Sequence, residues 1–518
     1  MKRLVYLALL VVAVVAFASC NRWGVDGPSG KHTLESITET DIVAMPNPQS
    51  LVIEYRYDSK CRVEVGEEAM AWISCDGSGD RANSVVLNIE KNVSGVNRSG
   101  LVRIVAEDNP EQFIEYSITQ YTDDSKKIYY TTTDGNLFVP EYEDKFCNGF
   151  GVEIKSHTYD GIGIIELVGD VKVVANFQER YPMICRLKSI YLPEGLTTIA
   201  DHAFFDCKAL EEVSLPETLE SIGGDAFSYC NKLETITIPN GVKVVNQGAF
   251  ADCESLVEIS LPYSVETIGD RVFQSCPNLT EVKLPNSITT IPMLFFSYCA
   301  KLESIEIPES VESIDMYAFV KCASLKSIEL PTNLKSIYSC AFEECSALES
   351  VSFPSTLELL CGGTFENCVS LVSVKLPDSL TDVGLSEFLG CSQLADFNIP
   401  RGLKDITHLM FAGCIGPEEL IIPDNIERIG ESVFQGCTGI KRVTIGSGVY
   451  KIYARAFYEC ANLAELYCMP TTPPAMSEMV LTGCSSELKI YVPSGSVDAY
   501  KAAEGWSEYK NSIVGYDF

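Results

Sequence analysis

Histidine is scarce. His32, His157, His202 and His408 are the only 4 in 518 residues, and no two share a motif. An HExxH zinc site is therefore excluded, and the chain also lacks a GxSxG elbow, a P-loop and an EF-hand loop. Asp160-Gly-Ile-Gly163 is too incomplete for a dinucleotide fingerprint. Basic residues are few as well, 39 against 71 acidic, for a formal charge of −32. Such a chain is repelled by nucleic acid and by anionic membrane surfaces. The carboxylates are spread through the chain rather than set as a catalytic pair. The expectation is a protein that is not an enzyme, with no catalytic residues, no metal and no cofactor.

Long apolar runs are limited to one, residues 4–18, preceded by Lys2 and Arg3. It is short for a membrane span and of signal-peptide length. Ala18 and Ser19 then precede Cys20, which resembles a bacterial lipobox, with Phe17 standing where Leu or Val is usual. The resemblance implies cleavage and lipidation at Cys20, so residues 1–20 are expected to be removed or processed and 21–32 to form a tether. Acyl chains hold a protein on a membrane without spanning it. The address expected is the cell envelope, on the outer-membrane surface ahead of the periplasm.

What the sequence has in excess is order. Cysteine recurs every 23 residues at 207, 230, 253 and onward to 460, and phenylalanine recurs three residues before each, from Phe204 to Phe457. Proline keeps the same interval from Pro193 to Pro423, until Gly446 replaces it. A fixed period of this size marks a solenoid, whose units are stable only when stacked. With the cysteine as position zero, Leu at +3 and Val, Ile or Leu at +6 and +8 end in period-two alternation, which predicts a short strand. Proline at +9 has no N–H and ends it. Apolar residues at +12 and +15 predict a second inward ridge, and the return arc closes on a small or apolar residue, Phe and Cys. The cysteine position suits a free buried thiol. Glu387 breaks the pattern at +19, Pro417 at +3, and Cys340 and Cys361 are additional cysteines in successive arcs. After Cys460 the period fails, and 467–518 reads as a cap sealed by Trp506.

The repeat resembles the BspA-like, treponemal-type leucine-rich repeats. That resemblance implies a mainly β fold: a right-handed solenoid of about 13 units plus caps over 185–466, with strands on its concave side. The lead-in over 122–184, with IYYTTTDG and HTYDGIGIIELVGDV, is similar to the same proteins and is expected to cap the first unit. Ahead of it, 33–121 alternates in short runs (51–55, 62–65, 85–89, 101–105, 113–118), which predicts an antiparallel β-sandwich. Its Trp72-Ile73, Asn92, Arg98-x-Gly100 and Gln120 resemble the BACON domain, an immunoglobulin-like module. The resemblance implies either carbohydrate binding or a spacer. Trp72 is the residue that would stack on a sugar; a lone Trp in a sandwich otherwise belongs to its core.

Function must lie in what varies between copies. Positions +4, +5 and +7 should face outward, and they include Glu211, Glu212, Glu234, Glu258, Glu281, Glu303, Glu306, Glu329 and Glu349. Tyr467 is the only aromatic at these positions in the copies that begin at Cys207 to Cys460. An acidic face without aromatic platforms suits a basic protein partner better than a glycan. Resemblance to BspA-like proteins implies adhesion to host matrix or cell-surface proteins. The alternatives are a glycan-binding lipoprotein acting through the sandwich, and a passive scaffold.

Overall fold

The computed structural model describes residues 186–518 without interruption, 126–135 and 154–174 ahead of them, most of 35–122, and 11–12. Cys20 and the tether lie outside the described residues. The N-terminal region forms two sheets over one core that includes Ile53, Leu87, Val102, Ile104 and Tyr116. One sheet pairs Gln49–Arg56, Ser84–Ile89 and Ile73–Cys75, with Glu35–Ser36 along its edge. The other holds Asp41–Ala44, Phe113–Gln120, Arg98–Ala106 and Cys61–Val65. It is not wholly antiparallel as the alternation suggested, because Asp41–Ala44 runs parallel to Phe113–Gln120.

A three-stranded antiparallel sheet follows, in the order Ile154–Asp160, Ile162–Leu167 and Lys127–Thr132. Its last member pairs with Leu187–Tyr191, the first solenoid strand, which then pairs in parallel with Glu212–Ser214. Gly163 is required here: a Cβ would lie 2.0 Å from the Tyr130 ring, which is buried.

From there the chain is a β-solenoid of about 14 turns. Three ladders hold it. Positions +5 to +7 give the first, as in Thr235–Thr237, Glu258–Ser260 and Glu281–Lys283. The ridge expected at +15 is itself a strand, and +14 and +15 pair from coil to coil, as Ser221–Ile222 does with Val244–Val245. Pro292 interrupts this second ladder. At its position other coils donate a backbone N–H to the coil before, as Gly269 does to the Val245 carbonyl and Asp315 to that of Ile291. Proline has no such donor, and Thr267–Ile268 and Thr290–Ile291 belong to separate sheets.

The arc forms the third ladder. The N–H groups of Asp225, Phe227 and Tyr229 donate to Gln247, Ala249 and Ala251 in the following coil. Positions +18 and +22 take positive φ to allow this, mostly without glycine: Asp225 at 50°, Tyr229 at 61°, Leu294 at 57°. No Val, Ile or Thr stands among the residues in that conformation, as the stiffness of β-branched side chains requires.

Inside, the phenylalanines form a column. Neighbouring rings are stacked from Phe204 to Phe457, with centroids 5.0 Å apart at Phe319–Phe342 and 6.0 Å at Phe250–Phe273. From Cys230 to Cys460 each ladder cysteine donates its thiol to the carbonyl of the Phe 26 residues earlier, as Cys322 does to Phe296 at 3.2 Å and Cys345 to Phe319 at 3.1 Å. All described cysteines are free thiols. Burial pushes the ladder thiols up, Cys253 and Cys299 to about 12, so the reactive thiolate is suppressed. Thiol reagent added to the folded protein is therefore expected to leave the ladder cysteines unmodified until denaturant is added, with the partly exposed Cys75 and Cys361 reacting first. Peptide mapping after timed alkylation checks this.

The period does not end at Cys460. Glu465–Cys468 and Ala475–Met476 extend both sheets, and Cys484 donates to the Phe457 carbonyl at 3.3 Å like its predecessors. This coil has one extra residue and Leu481 in place of Phe, which hid it in the sequence. Strands Lys489–Pro493 and Ile513–Tyr516 complete the first sheet. Between them the helix Val497–Ala502 and the turn Trp506–Tyr509 close the core end with Tyr500 and Trp506, both fully buried. The Trp506 indole donates to the Pro474 carbonyl at 2.8 Å and the Tyr500 hydroxyl to that of Pro470 at 2.7 Å.

Candidate functional site

The outward positions of the first ladder form rows, each residue beside its counterpart in the next coil. Some predicted glutamates are neutralised within these rows. Glu211 lies 3.5 Å from Lys188 and 3.1 Å from Lys232, Glu303 is 2.8 Å from Lys326, and Glu281 is 3.5 Å from Lys283. Glu212 is half-buried, and desolvation raises its pKa. Glu234, Glu258, Glu306, Glu329 and Glu349 are exposed and make no ion pair among the described residues. Glu306 and Glu329 sit directly beside each other across a parallel bridge, so their charges repel. The free charge is thus concentrated in the middle of the face. There an open cleft of about 460 Å³ separates Thr280–Lys283 from Glu303–Glu306. No strand pairing crosses it, and Glu281–Lys283 ends its sheet there.

The C-terminal end of the face is different. Glu419, Arg442, Glu465 and Lys489 are in register, with alternating charge. Arg442 bonds Glu465 at 2.6 Å and Glu419 at 2.5 Å, while Lys441 holds Glu418 at 2.7 Å. In the neighbouring row Ile421, Thr444, Tyr467, Tyr491 and Val514 follow one another. Tyr467 and Tyr491 stack at 4.5 Å, and Tyr516 and Phe518 meet them edge-on at 5.7 and 6.4 Å. The face therefore does carry an aromatic cluster, contrary to the expectation from the twelve regular copies. Tyr491 stands at +7 from Cys484, and recognising the longer coil would have revealed it.

Comparison with known proteins places this architecture. A model of the BspA-type leucine-rich repeat region matches residues 183–303, 289–416 and 404–502. The chain belongs to the BspA-type leucine-rich repeat family. Among solved structures, it is similar to a leucine-rich repeat protein from Bacteroides ovatus, at 25% identity and TM-score 0.58, over 76% of this chain and 99% of that one. A leucine-rich cell surface protein from Faecalibacterium prausnitzii matches at 26% identity and TM-score 0.37, over 61% and 86%. The pneumococcal vaccine antigen PcpA matches at 20% identity and TM-score 0.36, over 67% and 85%. No curated protein matches.

In this BspA-type chain Trp72 lies in the core of the N-terminal sheets. The ring is buried, 4% exposed, its indole donates to the Glu68 carbonyl at 3.1 Å, and the Arg98 guanidinium covers it at 4.5 Å. Arg98 in turn bonds Gln120 at 2.8 Å, and the Asn92 amide donates to the Gln120 carbonyl at 3.3 Å. Gly100 is needed because a Cβ would lie 2.4 Å from that of Ala69 and 3.1 Å from the Trp72 ring. Trp72, Asn92, Arg98, Gly100 and Gln120 therefore form one structural knot. Among the described residues no three His, Cys, Asp or Glu side chains are grouped to hold a metal, and no helix is long and apolar enough to cross a membrane.

Proposed function

We propose that the chain is an envelope-attached interaction scaffold, held by lipid on Cys20 at the outer-membrane surface, whose solenoid presents its first-ladder face to a basic host-matrix or cell-surface protein. The observation that carries this reading is the set of exposed carboxylates at Glu234, Glu258, Glu306, Glu329 and Glu349, fixed on a rigid ladder and outside every ion pair among the described residues. A field of one sign steers an oppositely charged partner and acts mainly on the association rate. Adhesion follows if that partner sits on another cell or its matrix. The sandwich serves as a spacer; its one tryptophan, the residue that would stack on a sugar, is buried, which disfavours the glycan alternative.

The test is surface plasmon resonance of the chain against an array of extracellular-matrix proteins spanning acidic to basic charge. Basic members are expected to bind. Replacing the five glutamates by serine is expected to slow association about tenfold or more, as is raising the salt. Equal association by the five-serine variant overturns the acidic-face reading. On intact cells, trypsin is expected to release solenoid peptides without lysis, and Cys20→Ala to release the protein from the membrane fraction. Protection from trypsin until lysis overturns surface display.

A further inference from the structure

The last strand of the first ladder, Ile513–Tyr516, pairs with Lys489–Pro493 on one side, and among the described residues no strand pairs with its other side. Its residues from Val514 to Phe518 are all exposed, Tyr516 at 43% and Phe518 at 50%. The Ile490 N–H donates to the Ser512 carbonyl. Alternation along a strand then turns the backbone groups of Ile513, Gly515 and Asp517 to the open side. Natural sheets usually blunt such an edge with lysine, proline or a covering element; this one carries Val514, Gly515 and Tyr516. Beside it lies the aromatic cluster, and both belong to the same outward surface.

The chemistry of the occupant follows from what the cluster leaves open. Tyr467 and Tyr491 cover each other, Arg442 lies 5.9 Å over the Tyr467 ring, and Tyr516 stands edge-on to Tyr491. The facing sides of Tyr467 and Tyr491 are therefore occupied, and these two rings leave a sugar, which stacks on an open face, little platform. The charged row alongside is balanced, Glu419, Arg442 and Glu465 being bonded to one another with Lys489 at its end. A strongly charged partner gains nothing there. What remains unmet is main-chain hydrogen bonding at the edge and apolar contact with Val514, Tyr516 and Phe518.

We infer that this edge is a docking site for an extended, largely uncharged segment of a protein partner, added as a further parallel or antiparallel strand beyond Ile513–Tyr516. Main-chain bonds give such strand addition its affinity, and alternate side chains give it specificity. The alternate side chains of the incoming segment continue the rows of Tyr491–Val514 and Pro493–Tyr516. This site is separate from the acidic middle of the face. The five-serine variant that tests the proposed function leaves it intact, so the two readings can fail independently.

The probe is a random-peptide phage library selected on the whole protein, followed by synthesis of the enriched peptide. Its binding is expected to vary little with salt and to weaken tenfold or more in the double variant Tyr516→Ser, Phe518→Ser, both exposed positions that the fold tolerates. N-methylation of alternate peptide residues is expected to abolish binding in one phase and spare it in the other, a readout that does not depend on any variant folding. Amide exchange at 513–517 is expected to slow when the peptide binds. The inference is overturned if no peptide is enriched, if enriched peptides bind the double variant equally, or if N-methylation in either phase has no effect. It is also overturned if sedimentation shows the edge taken by a second copy, as a dimer that the double variant dissolves.

Discussion

Phe342→Ala is expected to destabilise the solenoid by about 3–5 kcal/mol, the range for emptying a large buried aromatic site. Phe342 is fully buried, with Phe319 at 5.0 Å and Phe365 at 5.2 Å on its two sides, nearly parallel to both. The coil cannot collapse into the space, because three hydrogen-bonded ladders fix its spacing from its neighbours. The Phe342 carbonyl also accepts the Cys368 thiol at 3.1 Å, which ties the ring's position to the next coil. Stability in a repeat array is nearly a sum of unit and neighbour terms. The damage should therefore appear first as faster amide exchange in the coils on either side of Phe342, then as a lowered or split melting transition in calorimetry. Phe342→Leu is expected to cost less, since Leu481 fills the equivalent place in the last coil. A loss for the alanine variant below about 1 kcal/mol would show that the column is not the support its geometry implies.

The second large effect is a gain. Glu387 occupies the interior position that is alanine in Ala318 and Ala341 and methionine in Met410, and it is fully buried. Its Oε2 accepts from the Thr364 N–H at 3.2 Å, and its Oε1 has no partner. Burial raises its pKa well above the ordinary value, with the Thr364 and Gly384 contacts opposing only in part. The partly buried Cys361 thiol is the titratable group that feels it. The folded chain thus holds a proton that the unfolded chain gives up near pH 4.3. Stability from this group is complete below that pH and falls as pH rises toward the folded value, by about 1.4 kcal/mol per unit. Glu387→Met should remove the slope and raise the melting temperature at neutral and alkaline pH, by about 1–3 kcal/mol in stability. The difference from the native chain should shrink toward pH 4. Melting curves of both proteins across pH check it, and parallel curves would mean that water reaches the carboxylate.

The sequence announced the site of this defect, since Glu387 was visible as a departure at a position otherwise small or apolar. Its consequence was not visible, because a glutamate at +19 could have turned outward. The same limit applies along the outer face. Glu303 and Glu349 occupy the same repeat position, yet only Glu303 is bonded by Lys326. Both are 23 residues from that lysine, in opposite directions, and pattern alone does not say which way it reaches.

The sequence by itself determined the coil, its length, its inward residues and the thiol and phenylalanine columns. It could do so because a solenoid stacks each buried position on its own copy, so burial is written as strict recurrence. It also determined the overall acidity of the outer face. Only the tertiary structure decided the remainder. The arc's left-handed residues recur by position and not by type, so no residue name marks them. The last full coil carries an extra residue and a leucine, which break the period while leaving the ladder whole. Trp72 faces its own core because Arg98 and Gly100, distant in the chain, close over it. The aromatic cluster and the open strand beside it exist only where the array stops, since an edge is a property of the stack and not of any repeat within it.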